Sequence, residues 1–141
     1  MVNVFIILKV KTDNMSEREI LFRGKRVDNG EWIEGYFLPG NERQSLHPCI
    51  FVYLPETQSF ECFDIDIDTL GEYTGLTDKN GLTKIFEGDI VAYDYFCGVV
   101  YFHEGTWCVT EEDNYPDYLY DLIDLKIIGN IHDNPELLKG D

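Results

Sequence analysis

The sequence predicts a mainly β protein built from small, barrel-like antiparallel sub-domains, with a short helical segment near residues 114–123 and a C-terminal helical turn. Three observations carry this. Aromatic residues make up 14% of the chain, with nine Tyr and nine Phe, and aromatics suit pleated, half-buried surfaces. Runs of apolar and β-branched residues are short. Turn residues punctuate them at close spacing, the pattern of a small barrel or sandwich.

Residues 1–14 differ in character from the rest of the chain. A start at Met15 would make them an upstream extension. Alternatively they form an added edge strand, since Val2, Val4, Ile6, Leu8 and Val10 fall on one face. Such a strand would offer an edge to another chain and so a route to a homo-oligomer. From Glu19 to Val27 the pattern alternates as a strand. Asp28-Asn29-Gly30 is a hairpin turn in which Asn-Gly supplies positive φ angles, and Glu31–Leu38 returns. Pro39-Gly40 ends that strand and a loop follows. Cys49–Leu54 and Ser59–Asp68 are a second pair by composition. In Asp64-Ile65-Asp66-Ile67-Asp68, period two places both isoleucines inward and the three acids outward. An EF-hand reading fails there, because Thr69 stands where Gly is required and Gly75 where Glu is required.

In the second half, Asp78–Gly81 forms either a type I turn with Gly in the left-handed region or a type I′ turn at Asn80-Gly81. Glu87-Gly88-Asp89 is a further turn, with Asp89 bonding local N–H groups. Apolar Ile85-Phe86 and Ile90-Val91 flank it. Gly98–Phe102 and Trp107–Val109 pair around Glu104-Gly105. Next, Asn114 caps a helix that carries Pro116 in its first turn and Leu119, Leu122 and Ile123 as its apolar stripe; a mobile acidic loop is the rival reading. Lys126–Ile131 is the last strand. Asn134 caps a terminal turn opened by Pro135. Residues 15–70 and 71–138 can be read as separate sub-domains of one 15–138 domain.

The chain carries 27 acidic and 11 basic residues, a net charge of −16. That charge opposes binding to a polyanion, because duplex nucleic acid is held largely through Lys and Arg. The basic residues cluster only at Arg18, Arg23, Lys25 and Arg26. These form a candidate nucleic-acid patch, or they neutralise nearby carboxylates. The acidic stretch 111–124 offers Tyr115, Tyr118, Tyr120, Asp117 and Asp121 as a candidate protein-binding patch. Four cysteines without a Cys-x-x-Cys spacing, and no secretory pattern, fit reduced thiols, mostly buried, in a cytoplasmic protein. No apolar run is long enough for a membrane span. His47 with Cys49, and His103 with Cys108, lack zinc-site spacing. No nucleophile elbow or phosphate-binding glycine pattern occurs. No catalytic, metal or cofactor residue is therefore assigned.

Several stretches together resemble the YopX family of bacteriophage and prophage proteins. They are REILFRGK at 18–25, GEWIEGY at 30–36, TGLTDKNG at 74–81, IFEGDIV at 85–91 and IIGNIHDNPELL at 127–138. The resemblance covers residues 15–138. It implies a mainly β fold with barrel-like sub-domains and an origin in phage or prophage genes, and it carries over no catalytic residue. The acidic tract lies outside the shared motifs. The expectation is an accessory protein, not an enzyme, that binds a host or phage protein. The alternatives are a nucleic-acid-binding small β-barrel and an acidic mimic of nucleic acid.

Overall fold

A computed structural model describes residues 18–109, 115–122 and 124–139. The first sheet contains β1 (Phe22–Arg26), β2 (Trp32–Leu38), β3 (Cys49–Leu54), β4 (Ser59–Thr77) and β5 (Lys84–Phe86), in chain order. β1 also pairs with β4, so these strands curl into a partial ring. The second sheet contains β6 (Asp89–Tyr93), β7 (Phe96–His103), β8 (Thr106–Val109), β9 (Asp117–Tyr118) and β10 (Lys126–Asn130), in the order β10-β6-β7-β8-β9. Every pairing is antiparallel. Residues 1–14, Asn114 and Ile123 lie outside the described residues, and with them the two readings of the N-terminal segment.

β4 is the element that makes the ring. It spans 19 residues, far beyond the expected end at Asp68, and serves three partners in turn. Ser59–Asp64 pair with β3, residues 65–72 with β1, and Tyr73 and Thr77 with β5. A strand this long must bend to stay in contact with all three, and the bend is a bulge. Lys25 faces Asp66 but Arg23 faces Gly71, so β4 carries extra residues across that step. Thr69 ties the bulge down, accepting from Lys25 N at 2.8 Å and donating to Asp66 O at 2.6 Å. The slip overturns one expectation: Ile65 is buried, whereas Ile67 points to solvent. The division anticipated near residue 70 falls inside this strand, and the chain passes between sheets at Glu87-Gly88.

The main core cluster joins both sheets. Ile85 of β5 packs with Val91, Tyr93, Val100, Val109, Leu119 and Leu125. The apolar pairs flanking Gly88 therefore do what their sequence suggests: Ile85, Phe86, Ile90 and Val91 are all buried.

Four local readings are refined. In the Asp28–Gly30 and Asp78–Gly81 turns only the glycines have positive φ; Asn29 and Asn80 do not. The second is a type I turn, closed by Gly81 N donating to Asp78 O at 2.8 Å. The helical segment near 114–123 is a single 3-10 turn, Leu119–Asp121, preceded by the short strand β9. Pro116 precedes that strand instead of opening a helix, because β8 offers Asp117 and Tyr118 an edge to pair with. The C-terminal turn is Pro135–Leu138 with Asn134 at its N-cap position. However, the Asn134 side chain accepts from Asn130 N, at 3.3 Å, and does not cap the turn. All four thiols are free, but only Cys49 and Cys108 are buried; Cys62 and Cys97 are exposed.

Candidate functional site

A polar cluster sits where the two sheets meet. The turn Glu87-Gly88-Asp89 needs a residue in the left-handed region, and Gly88 supplies it with φ +88°. Asp89 then turns one carboxylate oxygen back onto its own turn and accepts from Phe86 N at 2.8 Å. The other oxygen accepts from Arg23 Nη2 at 2.7 Å. Asp89 is only 2% exposed. The Arg23 guanidinium lies between two rings, 4.7 Å from the centre of Trp32 and 4.8 Å from that of Phe86, a geometry that favours a cation over π-faces. Burial pushes the Asp89 carboxyl above its ordinary range, while Arg23 and the Phe86 N–H pull it back. Beside the pair lies a cleft of about 420 Å³, lined by Glu34, Thr83, Lys84, Phe86 and Ile127 among others.

A second network adjoins the first. Asn130 Oδ1 accepts from His132 N at 3.0 Å and Asp133 N at 2.9 Å, folding the loop after β10 into a tight turn. This aims Asp133 at β1 and β2. Its carboxylate accepts from Lys25 Nζ, from Trp32 Nε1 at 2.7 Å and from Asn130 Nδ2 at 3.0 Å. These donors hold the Asp133 carboxyl well below the usual range, Lys25 contributing most. His132 lies 5.7 Å from Trp32, ring centre to ring centre. Burial lowers its pKa, helped by the charges of Arg23 and Lys25. Backbone bonds fasten the loop to the central turn: Ile131 N donates to Gly88 O, and Gly88 N to Val100 O, both at 2.9 Å.

Each of the four clustered cations meets a carboxylate. Arg23 pairs with Asp89 and Lys25 with Asp133. Arg26 Nε donates to Asp28 at 2.9 Å and Arg18 lies 3.6 Å from Glu72. This is the arrangement that local neutralisation predicts. The structure does not bring the four together as one bare surface.

The acidic tyrosine segment sits at the far edge of the second sheet. β9 pairs with β8 through Cys108↔Tyr118 and Val109↔Asp117. Leu119 is buried in the core and pins the segment. Tyr118 and Tyr120 project outward with rings stacked at 5.5 Å and 10°, and they are 46% and 64% exposed. Tyr115 is still more open. Asp117 accepts from Tyr93 Oη at 3.1 Å, so it helps fix the strand, while Asp121 is exposed.

Among the described residues no three His, Cys, Asp or Glu side chains gather as a metal site. No helix among them is long and apolar enough to cross a membrane. A family model described as "YopX protein" matches residues 21–139. The chain belongs to the YopX family. No curated protein matches it.

Arg23, Lys25, Trp32, Asp89, Asn130 and Asp133 lie far apart in the chain, within the span matched by the family model, yet meet at one place. They hold the sheets together. Reading the residues one at a time missed this cluster. The signal that could have found it was the occurrence of Arg23, Asp89 and Asp133 next to the glycines and asparagines of otherwise apolar stretches. Tyr115, Tyr118, Tyr120, Asp117 and Asp121 lie within the matched span but outside the cluster.

Proposed function

We propose that the protein is a non-enzymatic accessory protein that acts by binding a basic segment of a host or phage protein in the cytoplasm. The binding surface is the acidic tyrosine segment at residues 115–121. One observation carries this reading: Tyr118 and Tyr120 stack in the open, with the exposed Asp121 next in the chain. A stacked aromatic pair offers a π-face to a guanidinium or ammonium, and the Asp121 carboxylate adds an opposite charge. Tyrosines lose little conformational freedom on binding and are common anchors at interfaces. The net charge of −16 steers a basic partner toward the surface and raises the association rate at low salt. A partner that itself binds nucleic acid fits the same chemistry, with carboxylates standing in for phosphates.

The test is capture from host lysate over a range of salt concentrations, comparing the wild-type chain with Tyr118→Ser/Tyr120→Ser. The wild type should retain a partner whose binding weakens with salt. The variant should lose it while its circular dichroism is unchanged. Equal capture by both chains, or no specific capture at any salt, refutes the reading. A gel shift on single- and double-stranded DNA at about 50 mM salt tests the competing role of Arg18, Arg23, Lys25 and Arg26. The carboxylate held by each of these cations supports an outcome without a shift.

A further inference from the structure

We infer that the outer face of β2, β3 and β4 is a second docking surface, fitted to a basic protein segment that carries apolar side chains. Strand register builds this face row by row. Tyr36 stands opposite Phe51, which stands opposite Cys62; Leu38, Cys49 and Asp64 form the next row; Tyr53 and Phe60 form the third. Side chains at alternate positions share a face, so these eight lie together, Cys49 alone among them being buried. Phe51 and Phe60 stack at 4.8 Å and 5°, and Tyr53 meets Phe60 at 5.1 Å.

The opposite face of the same strands explains why this one is not core. Ile50 is fully buried and Ile65 nearly so, so the inside of the ring is already filled from the other side. Tyr36, Tyr53 and Phe60 remain about half exposed, at 58%, 49% and 52%, with Leu38 beside them. Monomeric proteins seldom leave a contiguous apolar face of this kind without a use for it.

Charge selects the occupant. Between Trp32 and Asp64 the sequence holds Glu34, Glu42, Glu56, Glu61 and Asp64 against Arg43 alone. On the face itself, Asp64 continues the outward row of β4 and is exposed, and no Lys or Arg stands at an outward position of these three strands; Glu34, on the outward row of β2, faces Arg23 across the strand pair and shares a cleft with Lys84. Stacking platforms for single-stranded nucleic acid pair aromatics with a cationic groove; here Arg18, in a cleft beside Tyr36, is paired with Glu72 and lies next to Glu19. A second copy of the chain brings another net −16 and is repelled. A segment with Lys or Arg between apolar side chains satisfies both the rings and the carboxylates. These residues are on the first sheet and are independent of residues 115–121 on the second.

The experiment uses the full chain and three short synthetic peptides, alternating Lys with Leu, Glu with Leu, and Lys with Ser. Affinity is measured by calorimetry, and the contact is located by NMR shifts of the Tyr and Phe rings. The Lys–Leu peptide should bind best and shift Tyr36, Tyr53 and Phe60. Tyr53→Ser/Phe60→Ser should weaken it by at least about tenfold, ~1.4 kcal/mol, with circular dichroism unchanged. Asp64→Lys should weaken the Lys–Leu peptide and improve the Glu–Leu peptide. Equal binding of the Glu–Leu or Lys–Ser peptide overturns the inference. So does binding of oligothymidylate that the double substitution abolishes, or a dimer in sedimentation that the double substitution dissolves. Shifts confined to Tyr118 and Tyr120 overturn it too, while leaving the reading of residues 115–121 standing.

Discussion

Replacing Asp89 by Ala should unfold the junction between the sheets more effectively than any surface change. The carboxylate is nearly inaccessible and holds two donors, Arg23 Nη2 and Phe86 N. Its removal leaves the Arg23 guanidinium, 13% exposed, without a counter-charge. Breaking one side of a buried pair costs about 3–5 kcal/mol. Two contributions soften that figure. Cation–π contacts with Trp32 and Phe86 survive, each worth up to about 2 kcal/mol when desolvated. Burying Asp89 also carries its own penalty, visible in the raised pKa of its carboxyl, and the substitution removes it. The low end, about 3 kcal/mol, is therefore expected, against a total stability of about 5–15 kcal/mol for a domain. Urea unfolding measures it. In a double-mutant cycle, Arg23→Met/Asp89→Leu should be more stable than the sum of the single changes predicts, by at least about 1 kcal/mol. Arg23→Met alone should show a diagnostic pH dependence. Without its guanidinium the Asp89 carboxyl rises further. A carboxyl raised in the folded state contributes most below its unfolded value, about 3.9, and that contribution is lost as pH rises through the folded value. The Arg23→Met deficit should thus be smaller in acid than at neutral pH. A loss below about 1 kcal/mol in Asp89→Ala, or strict additivity in the cycle, would refute a buried pair that joins the sheets.

Acid should destabilise the protein through the loop after β10. His132 and Asp133 both have lowered folded pKa values, so each stabilises the fold above its unfolded pKa and loses that contribution as pH falls. His132→Gln should flatten the stability profile below about pH 6.5, and Asp133→Asn the profile below about pH 4; unchanged profiles would sink both assignments. Trp32→Phe keeps a ring over Arg23 but removes the donor to Asp133, so it should raise the Asp133 pKa measured by NMR titration and destabilise by about 1 kcal/mol. A Cβ at Gly71 would lie 2.6 Å from the Glu87 carbonyl oxygen, so Gly71→Ala should cost about 1–3 kcal/mol in chemical unfolding. A neutral result there would mean that β4 and the Glu87 turn are not in close contact.

Most of the local structure was legible in the sequence because its causes are local. β3 spans Cys49–Leu54, as its apolar run predicts. Gly30, Gly81, Gly88 and Gly105 take the left-handed conformations that close their turns. Asp89 bonds the Phe86 N–H three residues away, as a short acidic side chain in a turn is expected to do. Errors arose where a neighbour distant in sequence set the outcome. Ile67 faces out because pairing with β1 forces a bulge into β4. Pro116 opens no helix, since β8 captures the two residues after it.

The inter-sheet cluster shows the same division. That Arg23, Trp32, Asp89 and Asp133 are present, and that Gly88 and Asn130 shape the turns carrying two of them, is written in the chain. Their meeting is not. Arg23 and Asp89 are 66 residues apart and Lys25 and Asp133 are 108 apart, and an ion pair leaves no periodicity by which either partner announces the other. Alternation could likewise show that β3 is apolar on both faces. The closure of β1 onto β4 then selects which face fills the ring and which stays in water. Strands, turns and net negative charge thus follow from residue order alone, because each has a local or additive cause. Which charges join the sheets, and which aromatics stay in water, follows from long-range strand pairing that no local pattern encodes.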